Sequence, residues 1–342
     1  MSNILILGAG SMGTAFSFPC SDNGHSVSIV GTHLENDFID KINSTKKHPA
    51  LDCEVQKNVK FFKFEKLKEE INKKIDLIVI AVVSKGIEWA SNEISKVLKS
   101  NVPILILTKG LAINNNNFEV LAHKMERLLK KNGTKEINIS AAGGPCLAKN
   151  LANKAHTAVV FANNDIKIAE KISKLVSTDY YHVTTTDDVV GVETCAAIKN
   201  IFSMAVGASQ GLCDAKQSKE KNYLNTAAAL MQESIYEMIT FVEKLKGKKE
   251  TVIGLAGIGD LYVSADGGRN SKMGEYLGKG MTFKDAKKIK MPNDTVEGVD
   301  LALEIGTKVK RDFNNKTLPI FISMINTICD EKPLKVDWKN FK

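Results

Sequence analysis

The sequence predicts an α/β protein: an N-terminal doubly wound sheet over residues 1–186, followed by an all-helical domain over 187–342. Three observations point there. Short apolar runs alternate with helix-like segments through the first half. A glycine loop, GAGSMG at 8–13, directly follows the first of those runs. Beyond about Asp187 the apolar periodicity is helical, with no strand-like run. At 342 residues the chain is long for a single core, so two domains are expected.

The elements follow in order. NILIL (3–7) is a short apolar run ending in glycine, and a small-residue segment that opens as a helix follows from Ser11 to about Asn23. Pro19 falls well past the first helical turn, so it should kink that helix or end it early. HSVSIVG (25–31) alternates like a strand. DLIVIAVV (76–83) and VPILILT (102–108) are continuous apolar runs, as in strands buried on both faces. Ile87 to about Lys99 and residues 118–131 read as helices, INISAA (137–142) and TAVVFA (157–162) as strands. The repeated strand–helix–strand order implies a parallel sheet with right-handed crossovers. In the second half helices are expected from Val189 to about Leu212, from Tyr223 to Leu245, and near 284–289, 295–308 and 317–329.

Composition narrows the classes. The six cysteines are scattered with no C-x-x-C pair, and the six histidines are equally dispersed. That pattern argues against a zinc site or disulfide framework and for a reducing cytoplasm. No metal site is expected. No apolar run reaches the roughly 20 residues of a membrane span, and the N-terminus lacks the basic flank of a signal peptide. The formal charge of +8 suits an anionic ligand, or reflects a simple preference for lysine and asparagine, as in NNNN at 114–117. No basic stripe interleaved with aromatics appears, so no nucleic-acid partner is expected.

GAGSMG supplies Gly8, Gly10 and Gly13 in a G-x-G-x-x-G pattern between a strand and a helix. Gly8 permits the tight turn, Gly10 lets the backbone approach a pyrophosphate, and Gly13 lets helix and strand pack closely. The N-terminal domain is therefore read as Rossmann-type, with NAD or NADP as cofactor. The second strand ends in Gly31, Thr32 and His33, with no acid at its tip and Glu35 further on. Thr32 and His33 read equally as ligand contacts or surface loop, and the choice between NAD and NADP stays open.

Ligands of such sheets bind beyond the carboxyl ends of the strands. That places Lys109 of LTKG and the segment Gly143, Gly144, Pro145 and Cys146 near the cofactor. Lys199 lies in a helix otherwise made almost wholly of small and apolar residues, where an ammonium must be paired or functional. Asp260, in GLAGIGDLYVS, offers a carboxylate. Ser264 follows, and then GGRN, Gly267 to Asn270. The chain holds only three arginines, Arg127, Arg269 and Arg311, so one behind two glycines suggests a planar fork for phosphate or carboxylate.

These motifs, joined by GGPCLA at 143–148, ETCAAIKNI at 193–201, LGKGMT at 277–282 and VEG at 296–298, resemble the soluble NAD(P)-dependent glycerol-3-phosphate dehydrogenases over nearly the whole chain. In spacing the chain is similar to archaeal-type members. The resemblance implies reversible reduction of dihydroxyacetone phosphate to sn-glycerol 3-phosphate, supplying phospholipid synthesis. It implies Lys199 as proton donor and acceptor, with Asp260 in its network and Lys109 beside the reaction. Substrate contacts are implied for Lys109, Gly144, Cys146, Asn200 and Ser264, with Gly268, Arg269 and Asn270 at the phosphate end. Cofactor contacts are implied for Gly8, Gly10, Ser11, Met12 and Gly13, then Thr32, His33 and Lys109. Ala148, Arg269, Thr295 and Glu297 complete that set.

Three positions depart from the family pattern. Cys146 replaces the usual Ser or Thr, Gly268 stands where many members have serine, and Ser264 stands for a eukaryotic threonine. The alternative is another oxidoreductase of this architecture, of the β-hydroxyacid dehydrogenase or ketopantoate reductase type. A small phosphorylated substrate, a cytoplasmic location and no membrane insertion are expected. Whether the chain forms a homodimer is left open.

Overall fold

The computed structural model describes residues 1–98, 101–213 and 223–342. The chain forms two compact units, one of residues 1–109 and 120–193, the other of 110–119 and 194–342.

The first unit is built on an eight-stranded sheet. Its strands are β1 (Asn3–Leu7), β2 (Ser26–Val30), β3 (Val59–Phe62), β4 (Leu77–Ile80), β5 (Ile104–Ile106), then, past a hairpin described below, β8 (Ile139–Gly143), β9 (Thr157–Ala162) and β10 (Tyr181–Thr186). The spatial order is β10-β9-β8-β5-β4-β1-β2-β3. Ile4 to Leu7, Leu77 to Ile80 and Ile104 to Ile106 are buried throughout, as continuous apolar runs require when both faces are covered. Val59–Phe62 and Tyr181–Thr186 are edge strands that the sequence reading did not assign; Val59 and Phe61 bury one face of the first while Lys60 stays exposed.

Six strands run parallel, but β8 and β9 pair antiparallel. The sheet is therefore mixed where a parallel one was expected. The cause lies at Gly144, whose φ of +113° lies in the left-handed region. A Cβ there would sit 3.2 Å from Val159 Cα, because the chain has doubled back against β9.

Helix α1 (Ser11–Asp22) continues past Pro19, contrary to the expected early end. Only one turn follows the proline, so a single missing N–H is tolerated near the helix end. Helices α2 (Asn36–Thr45), α3 (Leu67–Ile71), α4 (Ile87–Ser95), α5 (Leu121–Lys131), α6 (Ala148–Ala152) and α7 (Ile166–Val176) complete the unit. The expected helix 87–99 ends earlier, and Lys99 lies outside the described residues. Glu193 is buried and accepts the Ala122 N–H at 2.9 Å, capping the start of α5. Burial pushes its carboxyl up to about 8, against the opposing pull of the Ala122 and Leu121 amides.

The second unit is centred on α8 (Val189–Cys213), a 25-residue helix whose first residues belong to the first unit. In length and composition α8 would suffice to cross a membrane, which revises the expectation that no run would. It is instead almost wholly buried in protein and carries Glu193 and Lys199. Around it lie α9 (Leu224–Lys244), α10 (Lys249–Ile253), α11 (Asp260–Ala265), α12 (Arg269–Gly278), α13 (Glu297–Asp312) and α14 (Pro319–Cys329). Glu237 on α9 caps α14, accepting from Ile320 N at 2.6 Å and Phe321 N at 2.8 Å.

A hairpin of β6 (Leu111–Asn114) and β7 (Asn117–Val120) also belongs mainly to this unit. Asn115 and Asn116 form its turn with φ of +46° and +63°, values that asparagine tolerates better than most residues. The asparagine run is thus a structural turn. Lys308 Nζ donates to Asn116 O at 2.6 Å, and Arg311 donates to Asn116 Oδ1. Helix α5 accordingly starts at Leu121 and not at residue 118, since Phe118 lies in β7.

Helices α8 and α12 meet backbone to backbone through two small-residue pairs, Gly207 and Gly211 on one, Gly274 and Gly278 on the other. A Cβ on Gly207 would lie 2.2 Å from Ser271 O, and one on Gly274 only 1.8 Å from Met204 O. Gly274→Ala is therefore expected to destabilise the protein by about 3 kcal/mol. Gly24→Ala, with a positive φ but nothing within 4 Å, should cost about 1 kcal/mol. Urea unfolding of the two variants checks the difference, and equal losses would contradict the close packing.

Candidate active site

In the first unit, the glycine loop joins β1 to α1. A Cβ on Gly13 would lie 2.3 Å from Gly8 O, so helix and loop touch through the absent side chain. No side chain caps the start of α1 and no acid occupies its first turn. The N–H groups around Ser11 and Met12 are therefore uncapped, an arrangement that suits an anion with the helix dipole behind them. Gly10 leaves the approach open, its imagined Cβ meeting only Glu35 Oε1 at 4.0 Å. This loop fits a pyrophosphate.

Thr32 and His33 follow β2. Thr32 N donates to Glu35 Oε2 at 2.7 Å. The His33 ring stands edge-on to Trp89 with centroids 5.6 Å apart, and Trp89 packs in turn on Phe64. Lys109 is half-buried just beyond β5, after Thr108, whose hydroxyl donates to Val82 O at 2.6 Å. Gly144 is buried, and Cys146 and Ala148 are half-buried beyond β8.

In the second unit the predicted residues form two linked groups. Lys199 is 7% exposed and Asp260 only 2%. Lys199 Nζ donates to Asp260 Oδ1 at 2.6 Å and also to Ser264 Oγ. Asp260 and Ser264 lie one turn apart on α11, so both oxygens face α8. The widened turn at Leu255–Gly259, built from LAGIG, leads directly into Asp260.

Asn270 is the hub of the other group. Its Nδ2 donates to Asn200 Oδ1 at 3.1 Å and Glu297 Oε2 at 3.4 Å, and its Oδ1 accepts from Gly298 N at 2.9 Å. Arg269 pairs with Glu297 nearer the surface. Thr295 is exposed two residues before that glutamate. Asn200 follows Lys199 on α8, which joins the two groups. The connecting role of Asn270 was not legible beforehand, because its partners lie 70 and 27 residues away.

GGRN begins α12. Gly267 adopts φ of +76°, a turn that favours glycine. Gly268 does not need to be glycine: its φ is −69° and a Cβ would make ordinary contact at 3.4 Å. It occupies the N-cap without a side-chain oxygen, so no side chain caps the first N–H groups of α12.

Residues 3–169 match the family model described as NAD-dependent glycerol-3-phosphate dehydrogenase N-terminus, and 188–337 match the corresponding C-terminus. The chain is 32% identical over 283 residues to the NADP(+)-dependent glycerol-3-phosphate dehydrogenase of Archaeoglobus fulgidus, covering 83% of this chain and 82% of that one. The chain belongs to the NAD-dependent glycerol-3-phosphate dehydrogenase family. A Francisella tularensis glycerol-3-phosphate dehydrogenase [NAD(P)+] is 30% identical over 325 residues, 93% of this chain and 90% of that one. The solved glycerol-3-phosphate dehydrogenase of Plasmodium falciparum shares the fold, with a TM-score of 0.85 at 20% identity over 99% of this chain and 95% of that one. The family uses NAD or NADP.

The buried pair has a measurable consequence for stability. Asp260→Ala leaves the Lys199 ammonium buried without its carboxylate and should cost about 3–5 kcal/mol. Adding Lys199→Met to that variant should recover most of the loss. Urea unfolding of the single and double variants reads this directly; a double variant no more stable than the single would contradict it.

Proposed function

We propose that this protein catalyses the reversible reduction of dihydroxyacetone phosphate to sn-glycerol 3-phosphate with NADH or NADPH. The observation that carries the proposal is the nearly buried Lys199 ammonium, held by Asp260 and Ser264 on the helix that also carries Asn200. Family membership supplies the substrate class.

The reduced nicotinamide, when bound, supplies a hydride to the substrate's carbonyl carbon. The carbonyl oxygen then needs a proton. Lys199 Nζ polarises that oxygen as an ammonium and donates the proton, becoming neutral until it is reprotonated from solvent. Asp260 stabilises the ammonium and fixes where Nζ sits, while Ser264 takes a second N–H and limits its rotation. In the reverse direction neutral Lys199 removes the hydroxyl proton.

Arg269 and the start of α12 bind the remote phosphate, assisted by Asn270. The Arg269 fork exchanges Glu297 for phosphate oxygens, and phosphate binding energy orients the carbonyl. The family pattern assigns Lys109, Gly144 and Cys146 to substrate, with Lys109 and Ala148 also toward cofactor. Cys146 has no hydroxyl for the contact made by Ser or Thr in relatives. The product is a precursor for phospholipids. No disulfide joins the cysteines among the described residues, in keeping with a reducing cytoplasm.

Lys199→Ala should lower kcat by about a thousandfold while NADH binding persists. Initial rates together with a cofactor titration check this, and near-normal turnover would sink the role of Lys199. Arg269→Lys removes the planar fork and should raise KM for dihydroxyacetone phosphate about tenfold. An unchanged KM in that variant would count against Arg269 as the phosphate ligand.

A further inference from the structure

Strand β2 ends without an acid at its tip, yet the fold brings one there. Residues 31–35 turn back on themselves, with Glu35 N donating to Thr32 O at 3.0 Å. Gly31 makes the turn tight enough: a Cβ on it would lie 2.3 Å from Ile39 Cδ1 and 3.3 Å from Glu35 Cβ. The Glu35 side chain therefore returns over the end of β2. Its Oε2 accepts from Thr32 N at 2.7 Å and from Ala9 N at 3.3 Å.

Ala9 is part of the glycine loop, so these bonds tie the carboxylate to that loop. Oε1 is the atom nearest an imagined Gly10 Cβ, and among the described residues it accepts no hydrogen bond. No Lys or Arg pairs with Glu35 among the described residues. Lys63 is bound to Asp40 at 2.7 Å and Lys66 to Glu69 at 2.7 Å.

We propose that Glu35 makes this chain selective for NAD(H) over NADP(H). The inference rests on the reading that the glycine loop holds the dinucleotide pyrophosphate. In that arrangement an acid about 20 residues past the loop, at the end of the second strand, meets the adenosine ribose. Glu35 satisfies the spacing, and its turn satisfies the location. A carboxylate accepts hydrogen bonds from the 2′- and 3′-hydroxyls of NAD. The 2′-phosphate of NADP has no such hydroxyl and carries roughly −1.5 to −2 charge at neutral pH. It meets a fixed negative charge whose position is set by two backbone amides. The Archaeoglobus relative is named NADP(+)-dependent, so on this inference the two chains differ in cofactor choice.

Calorimetric titration of the full chain tests this without turnover. The probes are NADH and NADPH, and fragments of their adenosine ends that differ only in the 2′-phosphate, 5′-AMP and 2′,5′-ADP. The wild type should bind NADH at least about tenfold tighter than NADPH, with the same preference between the adenosine probes. Glu35→Gln keeps an oxygen for Ala9 N and Thr32 N but removes the charge, and should shrink the preference about fivefold or more by strengthening NADPH binding. Equal wild-type affinities, tighter NADPH binding, or an unchanged ratio in a folded Glu35→Gln would overturn the proposal. The wild-type ratio stands as a test if the variant fails to fold. Binding of none of the four probes would overturn the reading of the glycine loop itself.

Discussion

The contact between α8 and α12 is the constraint on which the second unit depends. Four glycines let two helix backbones approach where side chains would hold them apart. Ser271 O, Met204 O, Ala208 O and Glu275 O each lie within 2.2 Å of a Cβ that is not there. Such contact gains dispersion energy along the whole seam and leaves little freedom to slide. It fixes the start of α12, hence Arg269 and Asn270, against the face of α8 that carries Lys199 and Asn200. Gly298, whose imagined Cβ would lie 2.7 Å from Asn200 O, brings the start of α13 and Glu297 into the same register.

On that scaffold the electrostatics are local and nearly neutral. A buried ammonium is tolerable because a buried carboxylate and a hydroxyl meet it. A guanidinium nearer the surface is met by Glu297, and Asn270 bridges to the Lys199 helix through Asn200. The formal charge of +8 contributes little to this arrangement. Its lysines pair across single helical turns, as Lys130 with Glu126 and Lys279 with Glu275, a pattern of solvated surfaces.

Much of this was legible in the sequence, for a physical reason. Strands buried on both faces leave unbroken apolar runs, and α8 and α9 are long enough for helical periodicity to declare itself. Lys199 stood out because a charge among small apolar residues needs a partner. What escaped was set by tertiary contact. The edge strand 181–186 carries three threonines and a histidine, so its apolar signal is weak. The antiparallel β9 depends on one left-handed glycine. The hairpin at 111–120 was hidden in an asparagine run whose composition had an ordinary explanation. Pro19 follows its usual rule only when more helix remains beyond it. At the candidate site, the joint order of the motifs pointed to the residues, but the Asn270 hub and the returning Glu35 side chain join segments distant in sequence or folded by a tight turn.

In the proposed mechanism a buried lysine delivers a proton to a carbonyl whose remote phosphate is held at the start of α12. The most direct measurement compares initial rates, with reduced cofactor, for dihydroxyacetone phosphate, unphosphorylated dihydroxyacetone and a panel of 2-keto acids. Turnover of dihydroxyacetone phosphate is expected, with kcat/KM for dihydroxyacetone lower by about a thousandfold or more. Comparable rates with and without the phosphate, or a preference for a 2-keto acid, would contradict it.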